Sequence, residues 1–466
     1  MSRSAVPRSP SLGIAARLTA RATALACASF VFVGCGAASG NTVRDDARAE
    51  PSGEALAESS RGEASDDGRA PSGTEARAMS ELVTVAEEIR GLRFVRPVRI
   101  RVQNSAAIRA SLSREMEDED LLESRDLYVA LGLLPVDVDV RELLLRVLGE
   151  QVVGYYDTDR ARLVVRDDVL AALVRTRQRD RNAIDEGGMV LVHELVHALQ
   201  DQVLGLGVSY EQERTIDEGN AFHALVEGDA TLAMIGYLAE RAGGDLARLT
   251  SRPDVLRTAL QAGPAPGESS ELMSAPLIVR VPLLSAYFDG LLFCASLHAQ
   301  HAWPGVDRAY RNMPASSEQV LHPDRFARGE RPETVTLPAM PELVAAGVTT
   351  LTDDTIGELE MSVYFRLALS EADARRAADG WGGDRLRVVR DASGALGVLW
   401  QTRWDSEPDA VEAEAAARAV MNASPSEERS RSTVVRDGRS VLILRGIAPA
   451  LHATVRGALS YPFPRP

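Results

Sequence analysis

The stretch Met189–Gln202 (MVLVHELVHALQDQ) constrains the fold more than any other part of the chain. No Pro or Gly interrupts it, apolar residues fill its first half and polar residues gather at its end, which predicts one helix. Residues four apart on a helix share one face about one turn apart, so His193 and His197 can grip a single ion. Glu194 stands beside them. Two neutral imidazoles at that spacing bind zinc, and the intervening carboxylate polarises a water at the metal. With 7 His in 466 residues, chance alone yields this pattern in roughly one chain in a hundred. Its setting argues against chance, because three ionisable groups on an apolar helix are costly unless they serve a site.

A catalytic zinc takes three protein ligands and keeps one position open, whereas structural zinc is normally bound by four. Asp217–Thr231 (DEGNAFHALVEGDAT) is again helix-like in its apolar spacing; it offers Glu227 as the third ligand and His223, one turn earlier, as the rival. Here the chain resembles the gluzincins, zinc metallopeptidases that pair HExxH with a glutamate from a following helix. More narrowly, residues 193–202 (HELVHALQDQ) and 227–230 (EGDA) are similar to strings in poorly characterised bacterial metallopeptidases. The resemblance implies an α+β core: a mixed sheet, an active-site helix and a following helical subdomain. It also implies one Zn2+ held by His193, His197 and Glu227, with Glu194 as general base that later passes its proton to the leaving amine. Thermolysin-like members place an aspartate four residues after the ligand glutamate, where this chain has Thr231. Asp201, one turn beyond His197, and Asp229 are therefore the carboxylates expected to hold an imidazole N–H.

A third string, Ser316–Pro323 (SSEQVLHP), also resembles that bacterial family. Peptide hydrolysis develops an oxyanion at the carbonyl carbon, and a donor beyond the metal stabilises it. Gluzincins commonly use Tyr or His for this task, so the resemblance implies His322, with Tyr287 and Tyr310 behind it.

The first 35 residues read as a targeting segment: Arg3, Arg8, Arg17 and Arg21 precede an apolar core, Ala22–Gly34, too short to span a bilayer. Residues 32–35 (FVGC) resemble a bacterial lipobox, which implies lipid on Cys35; the alternative is an ordinary secretory signal. The lipid route places the chain in the bacterial cell envelope, lipid-anchored and facing periplasm or exterior. Cys27 would leave with the signal and Cys294 would stand alone, a small core residue. Residues 36–78 are rich in Ala, Ser, Gly and charge, with no aromatic residue, and predict a disordered tether.

A net charge of −15 argues against nucleic acid and against adhesion to anionic lipid by charge. All 52 basic residues are arginine, so Schiff-base chemistry, Ser–Lys dyads and a Walker A loop are excluded. No Gly-x-Ser-x-Gly elbow and no Gly-x-Gly-x-x-Gly fingerprint occurs.

Residues 79–337 are expected to form the metallopeptidase-like domain. Val83, Val85, Ile89 and Leu92 predict a short helix, residues 97–102 a strand, residues 121–148 two helices broken near Pro135, and residues 151–166 a β-hairpin. By the resemblance, one hairpin strand could pair with an extended peptide substrate. Residues 245–270 predict loops and a short helix, and residues 283–301 a buried core helix interrupted at Asp289–Gly290 rather than a membrane span. Residues 338–466 predict a separate α+β accessory domain: a helix over 356–372, strands over 385–390 and 395–404, a helix over 411–421, and a hairpin turning at Asp437–Gly438. Two other classes stay open, a non-catalytic envelope lipoprotein with an inert metal site and a zinc hydrolase cutting a non-peptide envelope amide.

Overall fold

The computed structural model describes residues 68–115, 118–149, 153–180, 186–262 and 271–460. The targeting segment, Cys35 and residues 36–67 of the expected tether lie outside the described residues. The architecture is α+β, with two separate sheets embedded in helices.

Helix α1, Gly73–Arg90, starts inside the span read as tether. Ser72 accepts from the Glu75 backbone N–H while the Glu75 carboxylate caps Ser72, a reciprocal box that sets a helix start within a polar stretch. A short sheet follows in the order β1–β3–β2, with β1 (Arg99–Gln103) parallel to β3 (Arg162–Arg166) and β2 (Gly154–Asp157) antiparallel to β3. The predicted hairpin is thus present, and the strand over 97–102 joins it. The predicted helices on either side of Pro135 are Asp118–Ala130 and Val140–Gly149.

Helix α2, Glu186–Leu199, carries the HExxH residues and lies against β2 and β3. Its partner α3, Ile216–Arg241, opens on a second capping box, Thr215 with Glu218. Apolar residues surround α3 on every side, as in a helix at the centre of a core. Helix α4, Leu277–His301, lies along α3 and is the one described helix long and apolar enough to cross a membrane by length and composition. Most of its side chains are buried in the protein, in keeping with the predicted core helix. Gly290 does not interrupt it. A Cβ on Gly228 of α3 would meet the Gly290 carbonyl oxygen at 2.1 Å, and one on Gly290 would meet the Ala224 carbonyl oxygen at 2.2 Å. Two glycines let the backbones touch immediately beside Glu227.

The second sheet is fully antiparallel, in the order β4 (Thr349–Asp354), β5 (Trp381–Arg390), β6 (Leu396–Trp404), β8 (Ser440–Arg445), β7 (Thr433–Asp437). The helix predicted over 356–372 is two: α5, Gly357–Phe365, and a second from Glu371 to Ala378, whose N-cap Ser370 accepts from the Asp373 backbone N–H. This region shares a core with the rest of the chain. Tyr128, Leu144, Ile216 and Tyr287 pack in one continuous apolar cluster with Met361, Phe365, Trp381 and Trp400.

Candidate metal centre

The sequence folds α2 so that His193, Glu194 and His197 enter the core rather than solvent, and all three have no exposed surface. Glu227 arrives opposite them from α3, equally buried. His193 Nε2 and His197 Nε2 lie 3.0 Å apart, and Glu227 Oε2 lies 3.1 Å from the first and 3.5 Å from the second. Zinc bonds of about 2.0–2.1 Å in tetrahedral geometry put neighbouring ligand atoms about 3.3 Å apart. The three residues therefore converge as the sequence predicts and could hold a metal ion of that size.

Unsatisfied groups support the fit. Glu227 Oε1 and both Glu194 oxygens are buried without a hydrogen bond of good geometry, which buried polar atoms seldom tolerate. Burial holds His193 below its ordinary pKa, in the neutral form a metal needs. Burial also raises Glu194 well above the usual carboxylate range, and Glu227 adds to that, while the nearby Tyr156 backbone N–H opposes it.

The groups that orient the ligands differ from those expected. Asp201 does not reach an imidazole; it accepts from the Tyr156 hydroxyl at 2.7 Å and from the Gly207 backbone N–H at 3.2 Å. His197 Nδ1 instead meets Gln200 Oε1 at 2.8 Å. Gln200 begins a π-helical turn, Gln200–Leu204, that ends on Gly205 at φ 76°. Gln200 stands at ordinary helical spacing from His197, three residues on, but spacing alone does not tell that its amide rather than the Asp201 carboxylate meets the imidazole. Asp229 acts one step further out, accepting from Gln200 Nε2 at 3.0 Å.

The other candidates divide. His223 is 3% exposed and outside the converging group, its ring beside Phe222 and Tyr210; burial drops its pKa to about 3. Tyr287 places its ring centroid 6.1 Å from that of His193. The Tyr310 hydroxyl donates to Asp229 at 2.9 Å. His322 faces the second sheet's domain: Nε2 lies 3.0 Å from Glu358 Oε1 and 3.7 Å from Asp379 Oδ1, and the Glu358 hydrogen bond raises its pKa. No described hydrogen bond or ring contact ties it to the His193–His197–Glu227 group. A further acidic group, Glu318, Glu330 and Asp405, already encloses a cation, the Arg325 guanidinium.

An α+β chain with a buried two-histidine, one-glutamate group across adjacent helices is the class that fold and geometry define. A family model described as a domain of unknown function (DUF8575) matches residues 346–456, from the start of the second sheet to the last described helix. No curated protein and no solved structure matches the chain.

Proposed function

We propose that the chain is a zinc-dependent metallopeptidase with a gluzincin-like core, tethered in the bacterial cell envelope by lipid on Cys35 and acting on peptide or protein substrates. The observation that carries this reading is the convergence of His193 Nε2, His197 Nε2 and Glu227 Oε2 within 3.5 Å of one another, with a buried carboxylate, Glu194, on the same helix. A zinc ion there would supply Lewis acidity toward a carbonyl oxygen and acidify a water.

The chain's own residues do the rest. Glu194 takes the water proton and delivers it to the leaving amine nitrogen. Tyr287, its ring 6.1 Å from that of His193, and the Glu358-bound His322 are the candidates for donating to the oxyanion. Among the described residues β2 pairs with β3 alone, so its outer edge is the one that could take an extended peptide.

Complete burial of the ligand atoms favours one second reading, a non-catalytic module with an inert or structural metal. Digestion of a peptide library by the zinc-loaded full chain, beside its Glu194→Gln variant, separates them. Proteolysis that a chelator abolishes, and that falls about 100-fold or more in a variant still holding zinc, supports the peptidase. Equal turnover by both proteins, or none by either, defeats it. Cleavage of envelope fragments in place of peptides would move the assignment to a non-peptide amide.

A further inference from the structure

Gln200 is fully buried three residues beyond His197, and its amide orientation follows from its partners. A carboxamide offers one acceptor and two donor hydrogens, so committing the NH2 group fixes the direction of the oxygen. Gln200 Nε2 lies 3.0 Å from the Val226 carbonyl oxygen and 3.0 Å from Asp229 Oδ2, both acceptors. The oxygen must then face His197 Nδ1, 2.8 Å away, and that nitrogen must carry the hydrogen. A neutral imidazole protonated at Nδ1 presents its lone pair at Nε2, the atom that meets His193 and Glu227. Turning the amide over would face an oxygen to two acceptors inside the core, at about 1–3 kcal/mol for each group left unmatched.

Asp229 is anchored in turn. Arg90, at the end of α1, approaches its two oxygens at 2.6 and 3.2 Å, and the Tyr310 hydroxyl adds a third contact at 2.9 Å. Arg90 and Asp229 are both without exposed surface. Arg90 also binds Asp307 at 2.6 Å and lies 4.5 Å from the centre of the Trp303 ring, so the anchor is held from two sides.

We propose that Gln200 is a positioning residue for the metal: a neutral amide relay through which the Arg90–Asp229 pair fixes the tautomer and ring plane of His197 and so sets metal affinity. A ligand histidine more often gives its second N–H directly to a carboxylate, a backbone carbonyl or water. Here the carboxylate stands one residue back, and its charge is spent on a guanidinium contributed by a helix 139 residues earlier in the chain. The amide transmits orientation without adding negative charge beside the ligand set.

The inference rests on the zinc reading, and its test separates the two. Zinc affinity is measured by chelator competition for the full chain, Gln200→Leu and Gln200→Glu, together with the zinc-induced rise in melting temperature of each. Gln200→Leu removes the acceptor and is expected to bind zinc about 10–100-fold more weakly, with a correspondingly smaller rise on zinc addition. Gln200→Glu turns an oxygen, in place of the amide NH2, on the Val226 carbonyl and Asp229, so it is expected to bind zinc no better than Gln200→Leu. A residue that merely filled space would lower the melting temperature of the metal-free chain and leave zinc affinity alone. Unchanged affinity in Gln200→Leu overturns the inference, as does a Gln200→Glu variant with wild-type affinity. A wild type that binds no zinc overturns the zinc reading and the inference with it.

Discussion

Helix α3 buries carboxylates at two places, and their neighbours differ in kind. Near its middle, Glu227 meets two imidazoles and Asp229 meets the Arg90 guanidinium. At its start, Asp217 meets only the Ser317 backbone N–H and hydroxyl, and Asn220 reaches Glu360, which also accepts from the Tyr128 hydroxyl. Asp384 nearby takes donors from the Ile356 and Gly357 backbones and the Trp381 indole. The first group sets Glu227 between two imidazoles that could share a metal ion with it, and Asp229 on a guanidinium. The second faces the sheet domain with neutral donors, so it favours protons rather than ions. Burial pushes Asp217 and Glu360 up to about 8 and Asp384 up to about 6, with hydrogen bonds opposing and their mutual repulsion adding. One helix therefore links a group that could hold a metal to a seam that favours protonated acids.

The largest expected effect tests whether the two places are chemically separate. Glu227→Ala removes a proposed direct ligand and should weaken zinc binding by more than the roughly 100-fold that loss of an orienting residue costs. Asp217→Asn, on the same helix, should leave zinc affinity within about threefold, because it touches no ligand and keeps an acceptor for Ser317. Calorimetric titration of both variants decides the matter. A comparable loss in both would mean that seam and centre form one unit.

A smaller effect is expected where α3 crosses α4. Gly228→Ala drives a methyl into the Gly290 carbonyl, and helix backbone yields less readily than a flexible side chain. Overpacking of this kind costs about 1–3 kcal/mol, and a shift of α3 would carry Glu227 with it. Thermal melting with and without zinc should show a lower melting temperature and a reduced zinc increment. The sheet-side contrast is Gly357, at φ 74°, where a Cβ would fall 1.8 Å from Asp217 Oδ1. Gly357→Ala should destabilise by a similar amount while leaving the zinc increment intact.

The candidate metal centre was more legible in the sequence than its surroundings, for a physical reason. His193 and His197 are related by helical periodicity alone, and Glu227 belongs to a string with its own helical pattern. Gln200 reaches His197 from the first residue of a π-turn and through an amide whose orientation depends on residues on three other helices. No spacing rule encodes that. The α+β core was implied by the resemblance, while four of the five C-terminal strands followed from alternation and from turns at Asp391–Gly394 and Asp437–Gly438, which the structure retains. The strand Thr349–Asp354 was not foreseen. The shared core between the two regions was hidden. Glu358, Glu360 and Asp384 look like surface acids in a sequence, because burial of a carboxyl is decided by the donors it meets rather than by its own polarity.

The smallest effect separates the two places by pH. A carboxyl whose pKa is raised on folding binds a proton in the native chain that the unfolded chain releases, so its contribution to stability is whole below the unfolded value of about 4 and is lost as pH rises toward the folded value. For Asp217 and Glu360 that window runs up to about 8. The share of urea stability that Asp217 and Glu360 contribute to the metal-free chain should therefore fall between roughly pH 4 and pH 8. Buried His193 and His223, their pKa values lowered, contribute the opposite trend below about 6.5. Asp217→Asn and Glu360→Gln retain an acceptor oxygen and cannot ionise, so each should flatten the decline. Each should also be more stable than wild type at pH 8 by on the order of 1–3 kcal/mol, with little difference at pH 4. Arg385 faces Asp354 in the same seam, and Arg325 and His322 face Glu318 and Glu358; their charges temper those acids without entering the Asp217 and Glu360 contacts. A pH profile unchanged by either substitution would mean that the seam carboxyls keep their charge inside the protein. The contrast along α3 would then be one of geometry alone.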